Sequence, residues 1–198
     1  MGFLLSPGAF ENGIPPAYNL KKNQDRKVLV WIECPYSSGA DHDVQQLLGT
    51  AFELYMVEKA HFDPDNVLIY ASPASQTMLL DPKEIARSQG AGYVLLVTVD
   101  SYEVDFLQVR DYYAGDMITR ALLIDVDLGT PVWPRQPEGK MVQITVELES
   151  DGRDALISRM VSAVAHCTMR HLYPCDKLKY KHADERISMQ EAYEIETF

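Results

Sequence analysis

Asp125-Val126-Asp127 is the first place in this sequence where residue types and spacing suggest chemistry. Residues two apart on a strand project to the same side, so the pair would present two carboxylates together, as a divalent cation requires. The same acids also serve to end a strand and start the Leu128-Gly129-Thr130 turn, which is the plainer reading. Asp41-His42-Asp43 sets three potential ligands in a row. It falls where a helix is expected to begin, and acids there act as caps and suit the helix dipole. His166, Cys167, His171 and Cys175 bring soft ligands close together near the C-terminus. Zinc ligands from one helix need to stand three or four apart. His166 and His171 are five apart, so a packed helix end is expected. Asp125 and Asp127 remain the weak metal candidates, and no cofactor is called for.

Phosphate-binding loops are absent. There is no G-x-x-x-x-G-K-[ST], and Gly90-Ala91-Gly92 precedes a strand, where a dinucleotide fingerprint would open a helix. No G-x-S-x-G elbow appears, and no spacing of Ser, His and Asp marks a nucleophile. The expectation is therefore a protein that is not an enzyme.

The elements that would position these residues follow from hydrophobic periodicity. Lys27–Glu33 (KVLVWIE) and Val67–Tyr70 (VLIY) are short apolar runs rich in β-branched and aromatic residues, which predict buried strands. Between them, residues 40–59 have helical period, with Val44, Leu47, Leu48, Ala51 and Tyr55 on one stripe and Ser38 or Asp41 as cap. Asp81, Pro82 and Glu84 spell a helix start, with Gly90 as the stop. Tyr93–Phe106 is the longest strand signal: apolar on both faces at first, then alternating, so that it leaves the core as a ribbon with one wet face. A tight connection around Arg110-Asp111 leads to a return strand over 112–127. Residues 142–148 alternate as a further strand, and residues 151–172 form the last helix, striped by Ile157, Met160, Val161, Val164 and Thr168. The order β-α-β-α-β-β-β-α predicts an α/β sandwich of α+β type, with a mixed β-sheet, an extended β-hairpin and helices packed on it. Residues 1–26 read as an N-terminal linker or arm, 27–175 as a single domain, and 176–198 as a charged tail, basic first and acidic later.

Composition narrows the function classes. The chain has 198 residues, of which 46% are hydrophobic and 24% charged, an ordinary globular balance. Its 18 basic and 29 acidic residues leave a net charge of −11. That argues against a general nucleic-acid binder and against electrostatic docking on anionic lipid. No run approaches the ~18 apolar residues of a membrane-spanning helix. The cysteines Cys34, Cys167 and Cys175 are too few for a disulfide framework, and buried free thiols are expected.

The segment Asp81–Val97 (DPKEIARSQGAGYVLLV) resembles the "acidic helix, then G-A-D-Y-V-L-x-G" stretch of a family of envelope domains, and Asp125–Trp133 (DVDLGTPVW) resembles that family's "D-x-x-T-G-x-x-x-W" strand–turn–strand. KVLVWIE fits its first strand. The family includes the amino-terminal domain of the Tol–Pal propeller protein, the curli secretion-channel lipoprotein and lipoprotein activators of penicillin-binding proteins. The likeness covers about residues 27–172. It implies an α/β domain on the periplasmic side of the envelope, often anchored by lipid to the outer membrane, that works by protein contact and not by catalysis. It also makes the first residues a post-lipobox linker whose lipid-bearing cysteine is absent from this chain; a cytoplasmic protein is the alternative.

The functional expectation is thus a non-catalytic envelope lipoprotein, an adaptor or assembly scaffold whose partners are other envelope proteins or further copies of itself. Nucleic acid is not expected as a partner, and the membrane only through a lost lipid anchor. Phe106, Leu107, Val109, Tyr112 and Tyr113 cluster at the expected hairpin end and are the candidate partner-binding residues. The alternatives are a metal-dependent enzyme or ligand-binding domain using Asp125 and Asp127, and a structural subunit of a large complex.

Overall fold

The structure is a computed structural model that describes residues 13–23, 25–71, 80–108 and 112–176. A two-residue strand β1 (Gly13–Ile14) precedes β2 (Lys27–Glu33), helix α1 (His42–Leu54), β3 (Val67–Ala71) and helix α2 (Pro82–Ser88). The long strands β4 (Ala91–Leu107) and β5 (Tyr112–Asp125) come next, then β6 (Thr130–Trp133), β7 (Lys140–Glu149), helix α3 (Arg153–Met169) and β8 (Cys175–Asp176).

The main sheet runs β3-β2-β4-β5, with β5's outer side shared between β6 and β7. The β3–β2 and β2–β4 pairs are parallel, and the rest are antiparallel. This is the expected mixed α/β architecture. One sheet face carries Val28, Val30, Ile32, Leu95, Val97, Met117 and Ile144 into a large core beneath α1 and α3. The other face holds a smaller core of Leu29, Trp31, Val94 and Val126 against Ala86 of α2. The first half of β4 is therefore buried on both faces, as its unbroken apolar run requires.

Local chemistry sets the helix boundaries. Asp41 caps α1 by accepting the Val44 amide at 2.9 Å, and Asp81 caps α2 by accepting that of Lys83 at 2.9 Å. The helical hydrogen bonds of α1 then widen, with the Ala60 amide reaching the Tyr55 carbonyl. The α1 stripe departs from expectation: Leu47 is exposed, and Gln45, Gly49, Phe52 and Met56 are buried beside Val44 and Leu48. Two contacts explain that rotation. The Gln45 side-chain amide donates to the Ile32 carbonyl at 2.7 Å, and a Cβ at Gly49 would lie 2.8 Å from Ile69 Cγ2, so helix and sheet approach closely there. Strand β6 departs from the periodicity, in which Gly129 and Pro131 read as an ending; Gly129 at φ +69° instead turns the chain back onto β5.

The stretch read as a linker meets the domain. Leu20 is buried in the main core, and the Tyr18 and Leu20 amides donate to the His171 and Leu172 carbonyls. β1 pairs with β8.

The parallel partner β2 ends at Glu33, opposite Thr98, while β4 continues to Leu107. The chain leaving β2 makes a tight turn over Tyr36–Ser38 and lays Gly39 against the Tyr102 carbonyl. Gly39 has φ +80°, and a Cβ there would lie 2.7 Å from that oxygen. We expect Gly39→Ala to lower unfolding free energy by about 1–3 kcal/mol, read from the urea midpoint at unchanged m-value.

Candidate functional site

Beyond Thr98, β4 and β5 continue as a ribbon. A register shift between Val99 and Ser101 marks where it departs from the parallel part of the sheet. The alternation then distributes side chains as the sequence predicts. Tyr102 is buried opposite Met117, and Val104 faces Gly115, whose missing side chain leaves room for Met160 and Leu156 of α3. Glu103 and Asp105 lie on the opposite face and are exposed.

At the ribbon's end Phe106 is 49% exposed and Leu107 38% exposed. Phe106 pairs across the ladder with Tyr113, their ring centroids 5.0 Å apart. Tyr113 also packs on the main core, so it anchors the end as much as it displays it. Tyr112 is half-buried, and Leu148 near the end of β7 adds an exposed apolar side chain. The structure thus brings Phe106, Leu107, Tyr112 and Tyr113 together; Val109 lies outside the described residues. Leu148 was not singled out from sequence, because its neighbourhood depends on a register shift in the β5–β7 pairing between Tyr113 and Gly115.

Asp125 and Asp127 converge, but on a cation of the chain itself. β5 ends at Asp125, so Asp127 sits in the turn beyond it. Arg26 donates from Nη1 to Asp125 Oδ2 at 2.9 Å and from Nη2 to Asp127 Oδ2 at 2.8 Å, with a further bond to the Gly92 carbonyl at 3.0 Å. Asp125 Oδ1 accepts the amides of Asp127 and Leu128. The guanidinium also lies 4.4 Å from the centre of the Tyr93 ring. The pair therefore fastens the chain before β2 to the β5–β6 turn. Burial works to raise the Asp125 pKa, but the Arg26 hydrogen bond and the Leu128 and Asp127 amides outweigh it and hold the carboxyl below its ordinary value. Nothing in the sequence marks Arg26 as the partner, since 99 residues separate it from Asp125.

The soft-ligand cluster is a buried hydrogen-bond chain. The Tyr55 hydroxyl bonds His166 Nδ1 and, at 2.9 Å, the Tyr173 hydroxyl, which reaches Cys175 Sγ at 3.8 Å. Burial pushes both tyrosine pKa values up. His171 stacks on Trp133 instead. Asp41 is spent on its cap, and His42 bonds Gln45 and Gln46 within α1. All three cysteines are buried and unbridged; burial raises the Cys34 thiol to about 12. Among the described residues no group of three or more His, Cys, Asp or Glu is placed to hold a metal ion.

No family model matches the chain, and no curated protein matches it. Solved structures of similar shape include a lipoprotein from Neisseria meningitidis, 15% identical, with a TM-score of 0.44 over 70% of this chain and 94% of that one. A variant PelC dodecamer from Paraburkholderia phytofirmans is 20% identical, with a TM-score of 0.45 over 81% of this chain and 94% of that one. A second PelC dodecamer from the same organism is 21% identical, with a TM-score of 0.42 over 76% and 92%. At these scores the likeness bears on neither activity nor partner.

The Arg26 clamp has a testable pH signature. A carboxyl whose pKa is depressed by folding stabilises the fold above its unfolded value of about 3.9, and that contribution disappears as pH falls through the folded value. Asp125→Asn should lower stability at pH 7 by about 1–3 kcal/mol, and its deficit against the native chain should shrink below pH ~4. Asp127→Asn, at an exposed carboxylate, should cost less than about 1 kcal/mol. Urea unfolding across a pH series measures both.

Proposed function

We propose that this chain is a non-catalytic adaptor or assembly factor of the cell envelope that acts by protein contact through the far end of the β4–β5 ribbon. One observation carries the reading. Phe106 and Leu107 stand half-exposed on a stretch of β4 whose outer edge pairs with no other strand among the described residues. Exposed apolar groups beside an open strand edge are a standing invitation to another chain, and native proteins normally blunt such an edge. Placement at the periplasmic side, with an outer-membrane lipid anchor, rests on the resemblance of residues 81–97 and 125–133 to envelope lipoprotein domains. The metal-enzyme alternative gains no support, because Arg26 engages both carboxylates it would use.

The test is cross-linked capture of the protein from cell envelopes that express it, with mass spectrometry of what comes with it. A reproducible envelope partner or self-association should be captured, and Phe106→Ser with Leu107→Ser should reduce it about tenfold, the size of effect expected for exposed contact residues. That pair leaves Tyr113 itself and the core beneath it unsubstituted, removing only the Phe106 ring that meets Tyr113. Capture unchanged by the double substitution sinks the ribbon-end assignment.

A further inference from the structure

We propose that the open edge of β4 at Glu103–Leu107 takes the basic segment Lys177–Lys181 of a second copy as an added strand, joining copies head to tail. This rests on the ribbon-end reading above and names its partner.

The complementarity is written in both segments. Edge residues Glu103-Val104-Asp105-Phe106 alternate acid with apolar before Leu107, and Lys177-Leu178-Lys179-Tyr180-Lys181 alternates base with apolar. Side chains on a strand alternate faces. A tail strand laid along the edge would thus set its lysines beside Glu103 and Asp105, and Leu178 and Tyr180 beside Val104 and Phe106. The acids are poorly matched as they stand. Glu103 lies directly across the ladder from Asp116, a like-charge pairing that destabilises a sheet, and among the described residues no ion pair involves Glu103 or Asp105. Ammonium groups set beside Glu103 and Asp105 relieve that repulsion. Backbone hydrogen bonds to an open edge supply affinity, and the alternating side chains supply selection.

The donor must be another copy. The described chain ends at Asp176, in β8. Cys175 beside it lies within reach of the Tyr173 hydroxyl, which is joined through Tyr55 to His166. Leu156, against Gly115 and hence level with Val104, is ten residues earlier on α3, about 15 Å along the helix. Lys177 follows Asp176 directly, and consecutive Cα atoms are about 3.8 Å apart, so Lys177 cannot also begin a strand beside Glu103 of its own chain. An edge on one copy and a tail on the next make a heterologous contact, which generates rings or filaments.

The test is sedimentation of the full chain against two charge-reversed variants. Glu103→Lys with Asp105→Lys reverses the edge, and Lys177→Glu with Lys179→Glu and Lys181→Glu reverses the tail. The native chain should self-associate, less so at high salt, and each variant alone should associate at least about tenfold more weakly. Mixed in equal amounts, the variants should recover native association, since each then offers the other a complementary edge and tail. A loss caused by misfolding would not be recovered by mixing. A native chain that stays monomeric overturns the proposal, as does association indifferent to both reversals or a tail held in its own monomer. Association that ignores the charges but falls with Phe106→Ser and Leu107→Ser would leave the ribbon-end reading standing and remove the tail from it.

Discussion

β2 has seven residues and β4 has seventeen, and much of the molecule follows from that mismatch. While the two run together, β4 is an interior strand with helices covering both faces. Once β2 stops at Glu33, one side of β4 loses its neighbour while β5 continues on the other. The residues change accordingly, from an unbroken apolar run to alternation. Hydrogen bonding demands a partner for every buried backbone group, and an edge strand meets that demand only by facing water, a covering loop or another chain. Near Tyr102 the loop through Gly39 covers the edge. Farther out, acidic side chains stand along it.

The helices respond to the same layout. α1 and α3 lie on one face of the sheet, and α2 covers the opposite face near Trp31 and Tyr70, whose rings stack 4.0 Å apart. α3 also supports the ribbon. A buried ion pair joins Arg159 to Glu149 at the end of β7, and Glu149 Oε1 accepts the Asp151 amide at 2.8 Å. Breaking a buried pair by removing one partner is costly, so this contact fixes the register at which β7 meets the helix. The ribbon is therefore braced from one side and open along the other.

Much of this was legible in the sequence because it depends on neighbours close in the chain. KVLVWIE, VLIY and YVLLV are strands by composition, and Asp81-Pro82 starts a helix by its own hydrogen bonding and fixed φ. The alternation after Asp100 correctly announced a wet face. What could not be read depends on distant partners. Gln45 looks like a surface residue until Ile32 offers its carbonyl. Arg26 looks like part of a linker until Asp125 and Asp127 come round to meet it. The carboxylate pair reads most plainly as a strand end and turn start, which the Asp127 and Leu128 amides on Asp125 bear out, and the cation it meets is supplied by the chain itself. The exposed apolar end was visible in advance at Phe106 and Leu107, whereas Leu148 joins it through an irregular pairing that no period reveals.

Cys34 bears on how this protein can be handled. Burial raises the thiol to about 12 and so keeps it protonated at neutral pH, and only the thiolate reacts readily with maleimides or disulfides. Cys167 and Cys175 are sealed within the core. Burial of all three native thiols thus disfavours their reaction with alkylating probes while the fold is intact. A single cysteine introduced on the ribbon would carry a fluorophore or spin label alone, with no need to strip the chain of its own sulfur first.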